Sequence, residues 1–296
     1  MALTVEHTSR DTISGITNNL LLVGNFVKRT FFGAIFAVVL IAGITIHTIG
    51  FFVVFLAITL LGTLEFYQLV RKANSSPQII SGMIASILLF VACYINARFH
   101  QNIIFLLFVL SVVAIPIIEL YRKKENPFAN IAFTIMGLAY IALPFSLFNY
   151  MTYPFNDSRF HSEIVLGIFL MVWANDSGAY LIGVNFGKHR LFERISPKKS
   201  WEGSIGGAVA SLIVAYICSI FCFDLSMWEW LFMGAIVVIF GSLGDLIESL
   251  LKRSIQIKDS GNILPGHGGI LDRFDAILLV SPVVFVFLQV IHQYFR

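Results

Sequence analysis

An all-α integral membrane protein of about nine transmembrane helices is the fold class this sequence predicts, and three observations carry it. Of 296 residues, 57% are hydrophobic and only 12% are charged. The mean hydropathy is +0.84, far too apolar for the surface of a soluble domain. The apolar residues run unbroken over long stretches, as in FVVFLAITLLG (52–62), whereas barrel strands alternate polar and apolar positions. The basic residues, finally, sort to one side of the map of spans that these stretches define.

The elements follow in order. Residues 1–29 are polar or mildly amphipathic and read as a cytoplasmic or interfacial segment with no cleavable signal peptide; the first long apolar run starts near Phe31, so the first span is expected to be its own anchor. An N-terminal scaffold (30–160) holds spans near 30–46, 49–70, 78–96, 102–121 and 128–150, the first two meeting in a close hairpin around His47. The C-terminal part (161–296) adds spans near 163–183, 202–222, 228–248 and 271–293 and is expected to carry the site. Its span ends are invaded by polar and charged residues, while the earlier spans read as nearly plain hydrocarbon.

Nine spans place 17 of the 20 lysines and arginines on one side, leaving only Arg98, Arg159 and Arg296 on the other. That asymmetry predicts a cytoplasmic amino terminus and a carboxy terminus on the opposite side, with Trp228 and Trp230 at the outer interface. Cys93, Cys218 and Cys222 all lie in apolar runs, which points to packing and against a disulfide framework or a thiolate metal site. The net charge of +3 gives no sign of nucleic-acid binding. No internal repeat is visible.

Chemistry-bearing residues cluster at the basic side. In GSLGDLIESLLKR, Asp245, Glu248 and Lys252 share one helical face. A carboxylate inside a bilayer costs ~2.5–3.5 kcal/mol on insertion scales, so it normally faces a cavity, a partner charge or a metal; a snorkelling helix end with an internal salt bridge is the plainer alternative. Downstream, Gly266, Gly268 and Gly269 precede a helix opening with Asp272, Arg273 and Asp275. Glycines and a helix amino terminus suit a phosphate, with Lys258 and Arg273 adding charge, although acids capping a glycine-rich turn would look the same. Asp245 and Asp272 end adjacent antiparallel spans, so a short loop can bring them together; paired carboxylates there suit Mg2+, a hard cation that bridges to substrate phosphates. His267 reads as a phosphate contact, a proton donor or a structural hydrogen-bonder. Two more patches fall on the same side. WANDSGAY buries Asn175 and Asp176 in a hydrophobic run, for substrate or for hydrogen bonding between spans, and SPKKSWEG offers Lys198, Lys199 and Ser200 to a phosphate or simply obeys the charge rule for cytoplasmic loops.

The segment SLLKRSIQIKDSGNILPGHGGILDRFD (249–275) resembles the signature of the phosphatidate cytidylyltransferase, or CDP-diacylglycerol synthase, family at Ser249, Lys252, Arg253, Lys258, Asp259, His267, Gly268, Gly269, Asp272, Arg273 and Asp275. WANDSGAY, SPKKSWEG and GDLIES are similar to family blocks in the same order, so the resemblance covers roughly residues 170–276; the first five spans match only in being hydrophobic. It implies cytidylyl transfer from CTP to phosphatidate, giving CDP-diacylglycerol and pyrophosphate, with Mg2+ and room for a second, monovalent cation such as K+. Carried over, Asp245 and Asp272 are the main metal ligands with Glu248 and Asp176 beside them, and Asp245, Asp272, Lys252, His267 and Arg273 are the catalytic set. Asn175, Asp176, Lys198, Lys199, Ser200, Ser249, Arg253, Lys258, Asp259, Gly268 and Gly269 bind substrate. The resemblance also implies a homodimer surrounded by membrane lipids, in a bacterial inner membrane with the site facing the cytoplasm. A secondary transporter using Asp176 and Asp245 as coupling-ion sites, an enzyme acting on another lipid phosphate or a polyprenol-type alcohol, and a non-catalytic membrane scaffold are the rival readings.

Overall fold

The computed structural model describes residues 31, 33–154, 159–257, 260–261 and 268–295. Eight helices in it are long and apolar enough to cross a membrane. They comprise α2 (Thr48–Arg71), α3 (Ile79–Phe99), α4 (Ile103–Arg122), a continuous pair α5 (Pro127–Gly137) and α6 (Leu143–Met151), α7 (Glu163–Phe186), α8 (Trp201–Phe221), α9 (Met227–Ser254) and α10 (Leu271–Phe295). The first expected span is represented by a shorter apolar helix, α1 (Gly33–Thr45). At 1.5 Å per residue its described residues cover about 20 Å. His47 caps α2, its Nδ1 accepting from the Ile49 amide at 3.1 Å. The two helices do meet closely, because a Cβ at Gly43 would lie 2.8 Å from the Val54 side chain.

Between α5 and α6 the helix widens to a π-turn, Leu138–Ala142. Pro144 supplies the cause: it has no N–H to give the carbonyl four residues back, and its ring would clash there. The carbonyl of Pro144 itself accepts from Ser281 Oγ of α10 at 2.6 Å. Around this point the interior is aromatic. Phe274 of α10 meets Phe145 and Phe169 edge-on, at centroid distances of 5.3 and 6.1 Å, and Phe148 stacks on Phe169 at 5.8 Å. Each such pair contributes about 0.5–1.5 kcal/mol beyond area burial, and together they lock the two halves of the chain around α10. Outward faces are inverted relative to a soluble protein: Leu106, Leu110, Val113 and Ile117 of α4 are each more than half exposed, as lipid-facing residues should be.

Two expectations need correcting. Trp228 is exposed, but Trp230 is fully buried; its Nε1 donates to the Cys222 carbonyl at 3.2 Å and its ring fills the space that glycine leaves at position 167. It is a core residue, not part of an interfacial belt. Nor are the early spans plain hydrocarbon. Glu65 of α2 and Glu119 of α4 are both buried, and Glu119 is held by Arg122, Gln78 and Asn130 at 2.6, 2.7 and 2.8 Å.

Candidate active site

The candidate site lies where α7, α8, α9 and α10 converge at one end of the bundle. Small residues make the approach possible. A Cβ at Gly178 of α7 would come within 2.7 Å of the Gly206 carbonyl, and one at Gly207 of α8 within 2.6 Å of the Asn175 carbonyl. Asn175 is therefore pinned and buried at the seam, while Asp176, one position on, opens into a cavity of about 310 Å3. That cavity is also lined by Lys199, Ser204, Ser242 and Asp245.

The loop leading into α8 folds as a two-stranded antiparallel hairpin, β1 (Arg190–Phe192) and β2 (Ser196–Ser200), which the hydropathy pattern does not reveal. Glu202, in the first turn of α8, anchors it by accepting from the backbone N–H of Lys188 and His189 at 3.1 and 3.2 Å. The hairpin carries the basic pair. Lys198 is exposed, while Lys199 reaches across to Asp245, Nζ to Oδ2, at 2.5 Å. Ser200 is buried and caps α8, its Oγ accepting from the Gly203 amide at 3.2 Å; a cap of this kind is worth about 1 kcal/mol, so its role is at least partly local.

On α9 the expected face forms. Lys252 Nζ lies 2.5 Å from Glu248 Oε2 and also 2.7 Å from Asp272 Oδ1 on α10, so one ammonium joins acids of two helices. Gly244 permits this contact, since a Cβ there would sit 2.5 Å from the Asp275 carbonyl. Asp275 in turn lies within electrostatic reach of Asp245, Glu248 and Asp176. Acids of α7, α9 and α10 thus share one region, with Lys199 and Lys252 as the cations between them. Breaking a buried, shared ion pair leaves charge uncompensated and costs on the order of 3–5 kcal/mol. Lys252→Met is accordingly expected to lower the melting temperature of the purified protein in detergent; an unshifted transition would show that Glu248 and Asp272 do not depend on this ammonium.

The start of α10 is built differently from the phosphate cradle that the glycines suggest. Gly268 adopts φ +83°, a left-handed conformation that a side chain would strain. Beyond it, Asp272 Oδ2 accepts from the Gly269 amide at 3.0 Å and from the Ser260 amide and Oγ at 3.1 and 2.9 Å. The next amides, of Ile270 and Leu271, go to Glu65 of α2 at 2.6 and 3.4 Å. Protein carboxylates therefore already occupy these helix-terminal donors.

Of the other expected site residues, Arg253 and Arg273 are exposed at the ends of α9 and α10, and Ser249 is half-buried on α9. His267, Lys258 and Asp259 lie outside the described residues. Glu65, Ser204, Ser242 and Ser260 are added by the structure. Glu65 has a legible signal, an isolated acid within an apolar run, the same feature that draws attention to Asp176. Among the described residues, the only three His, Cys, Asp or Glu side chains with ligand atoms within 4.8 Å of one another are His161, Glu163 and Asp224, at the opposite end of α7. The acids around Lys199 and Lys252 do not form so tight a set with the lysines between them.

A family model described as "Cytidylyltransferase family" matches residues 27–291. The chain belongs to that family. Among curated proteins it is similar to phosphatidate cytidylyltransferases of Staphylococcus haemolyticus (strain JCSC1435), 45% identical over 167 residues, and of Staphylococcus aureus (strain COL), 44% identical over 168 residues. A third, from Staphylococcus saprophyticus subsp. saprophyticus, is 42% identical over 167 residues. Each match takes in 56% of this chain and 62% of the relative's length. For this cytidylyltransferase-family chain, the family model spans both the early helices and the site, so α2 and its Glu65 belong to the matched region.

Proposed function

We propose that this chain transfers a cytidylyl group from CTP to phosphatidate, forming CDP-diacylglycerol and pyrophosphate at the cytoplasmic end of the bundle. The observation that carries the reading is the gathering of Asp245, Glu248, Asp272 and Asp275, crossed by Lys199 and Lys252, beside a cavity into which Asp176, Lys199 and Asp245 open, in a cytidylyltransferase-family chain. In the reaction a phosphate oxygen of phosphatidate attacks the α-phosphorus of CTP as the bond to the β-phosphate breaks, and pyrophosphate departs. Two polyanions must be brought together, so charge neutralisation and alignment dominate the barrier. The nucleophile is already ionised, and no strong general base is required.

The chain's own residues would divide this work. Lys199 and Lys252 sit inside the site and screen charge next to the reacting phosphates. Lys198 at the rim of the cavity, with Arg253 and Arg273 exposed near the ends of α9 and α10, draws the anionic headgroup and nucleotide inward. The donor set also fits a hard divalent cation: it is all carboxylate oxygen, and Glu248 Oε1 is buried without a hydrogen-bond partner. Asp245 and Asp272 would hold Mg2+, with Glu248 and Asp176 alongside and with or without a monovalent companion such as K+. Bound there, the ion would supply charge neutralisation for the nucleotide phosphates and the leaving pyrophosphate.

The remaining spans keep the acyl chains in hydrocarbon while the headgroup reaches the cavity. The basic asymmetry of the loops supports nine spans and a cytoplasmic amino terminus; the likeness to the Staphylococcus enzymes supports the substrates and a bacterial inner membrane, and a homodimer is the assembly proposed. The experiment is direct. Purified protein supplied with labelled CTP, phosphatidate and Mg2+ is expected to form labelled CDP-lipid. Failure with phosphatidate but success with ether-linked or isoprenoid phosphates would reassign the acceptor, and substrate movement across vesicles without product would favour a transporter.

A further inference from the structure

The amino terminus of α10 is an anion seat, and its occupant comes from the other end of the chain. Glu65 lies on α2, is 1% exposed, and is separated from its partners by 195 to 206 residues of sequence. Its two carboxylate oxygens divide the work. Oε2 accepts from the Ile270 amide at 2.6 Å; Oε1 accepts from Leu271 at 3.4 Å and takes a short hydrogen bond from Ser260 Oγ. Asp272 Oδ2 lies 2.9 Å from the same Ser260 Oγ, so the two carboxylates share its one proton. Glu65 is thereby one hydrogen-bonded atom away from a carboxylate of the proposed cation site. The glycines close the argument: a Cβ on Gly269 would run into Glu65 Oε1 and Ser260 Oγ, and one on Gly261 would meet the Glu65 carboxyl carbon at 3.1 Å. These positions are small because a carboxylate from α2 is already there.

We infer that Glu65 is a positioning residue: its carboxylate fills the anion seat of α10, ties Ser260 to the Ile270 and Leu271 amides, and so sets the direction in which Asp272 faces the site. The inference rests on the proposed reaction for its kinetic consequences but not for its structural ones. It also reassigns the backbone of the glycine turn. The Ile270 and Leu271 amides serve the fold, and substrate phosphates are left to side chains such as Lys199 and Lys252.

Glu65→Gln is the informative variant, because glutamine matches the shape but turns an N–H2 toward donors that need an acceptor. Two readouts apply. Hydrogen–deuterium exchange, followed with neither CTP nor lipid present, is expected to quicken in the peptides spanning 260–272 and to stay unchanged in α7 and α8. Kinetically, residues that orient a metal ligand typically contribute about 10- to 100-fold in activity or metal affinity. Glu65→Gln should therefore lower kcat and raise the half-saturating Mg2+ concentration by factors in that range, with KM for CTP changed by less than about threefold. Glu65→Asp, which keeps the charge with one methylene less reach, should recover part of both. Gly269→Ala should reproduce the glutamine variant. Unchanged exchange over 260–272 would overturn the inference, as would faster exchange throughout the bundle with normal kcat per folded molecule. A wild-type protein that makes no CDP-lipid would defeat the proposed reaction instead, leaving the exchange measurement to judge Glu65.

Discussion

Asp272→Asn is expected to reduce CDP-lipid formation by about 100- to 1,000-fold, the scale seen when one preorganised electrostatic group is lost from a site. The reason is in its partners. Oδ2 accepts from three donors, the Ser260 amide, the Ser260 hydroxyl and the Gly269 amide, and Oδ1 faces the Lys252 ammonium. An asparagine must place its N–H2 at one of these positions, against either the Ser260 and Gly269 amide donors or a cation, so neither rotamer is well accommodated. Loss of activity should therefore come with a lowered melting temperature, because buried donors left without an acceptor cost about 1–3 kcal/mol each. Parallel turnover and melting measurements check both halves. An asparagine variant that melts and turns over like the wild type would remove Asp272 from the proposed set.

Asp245→Asn is expected to be as damaging to turnover, again about 100- to 1,000-fold, but to leave stability nearly unchanged. Its carboxylate has one close partner, Lys199, and both side chains are partly exposed beside the cavity, at 22% and 28%. An ammonium released there can be hydrated, unlike the donors around Asp272, and partly exposed pairs contribute little to folding. The contrast between the two variants is itself informative: one acid is both structural and chemical, the other chemical alone. A strongly destabilised Asp245→Asn protein would mean that the Lys199 contact holds the β1–β2 hairpin to α9 and that the acid's role is structural.

Much of this was readable without coordinates, for physical reasons that can be stated residue by residue. The spans were legible because hydrocarbon demands long unbroken apolar runs, and the helices from Thr48 on fall within about three residues of the expected limits except α9, which runs six residues further, to Ser254. Asp245, Glu248 and Lys252 were legible as one face because helical periodicity is local. Across the two neighbouring antiparallel spans it is Lys252 of that face that meets Asp272, whereas Asp245, expected beside Asp272, pairs with Lys199 of the hairpin. What local reasoning could not reach is what long-range packing decides. Glu65 meets Ile270 across 205 residues, and an apolar run gives no hint of which helix its lone acid faces. Trp230 sits near a span end, where aromatic residues often favour an interface, yet the gap opposite Gly167 takes the ring inside. The glycines before α10 suit a phosphate or capping acids equally well from sequence, and in the structure the Gly269, Ile270 and Leu271 amides meet the protein's own carboxylates. The β1–β2 hairpin is short and polar, and it carries no hydrophobic pattern to read.

The account depends on acids of α9 and α10 acting together, through a divalent cation, on CTP and a lipid phosphate. A magnesium titration of labelled CDP-lipid formation by the purified protein tests this most directly, with Asp245→Asn run beside the wild type. The expected result is no product in chelator, saturable activation by Mg2+ in the wild type, and a variant that stays near background at every concentration. Product formed equally well in chelator, or a variant that follows the wild-type curve, would contradict it.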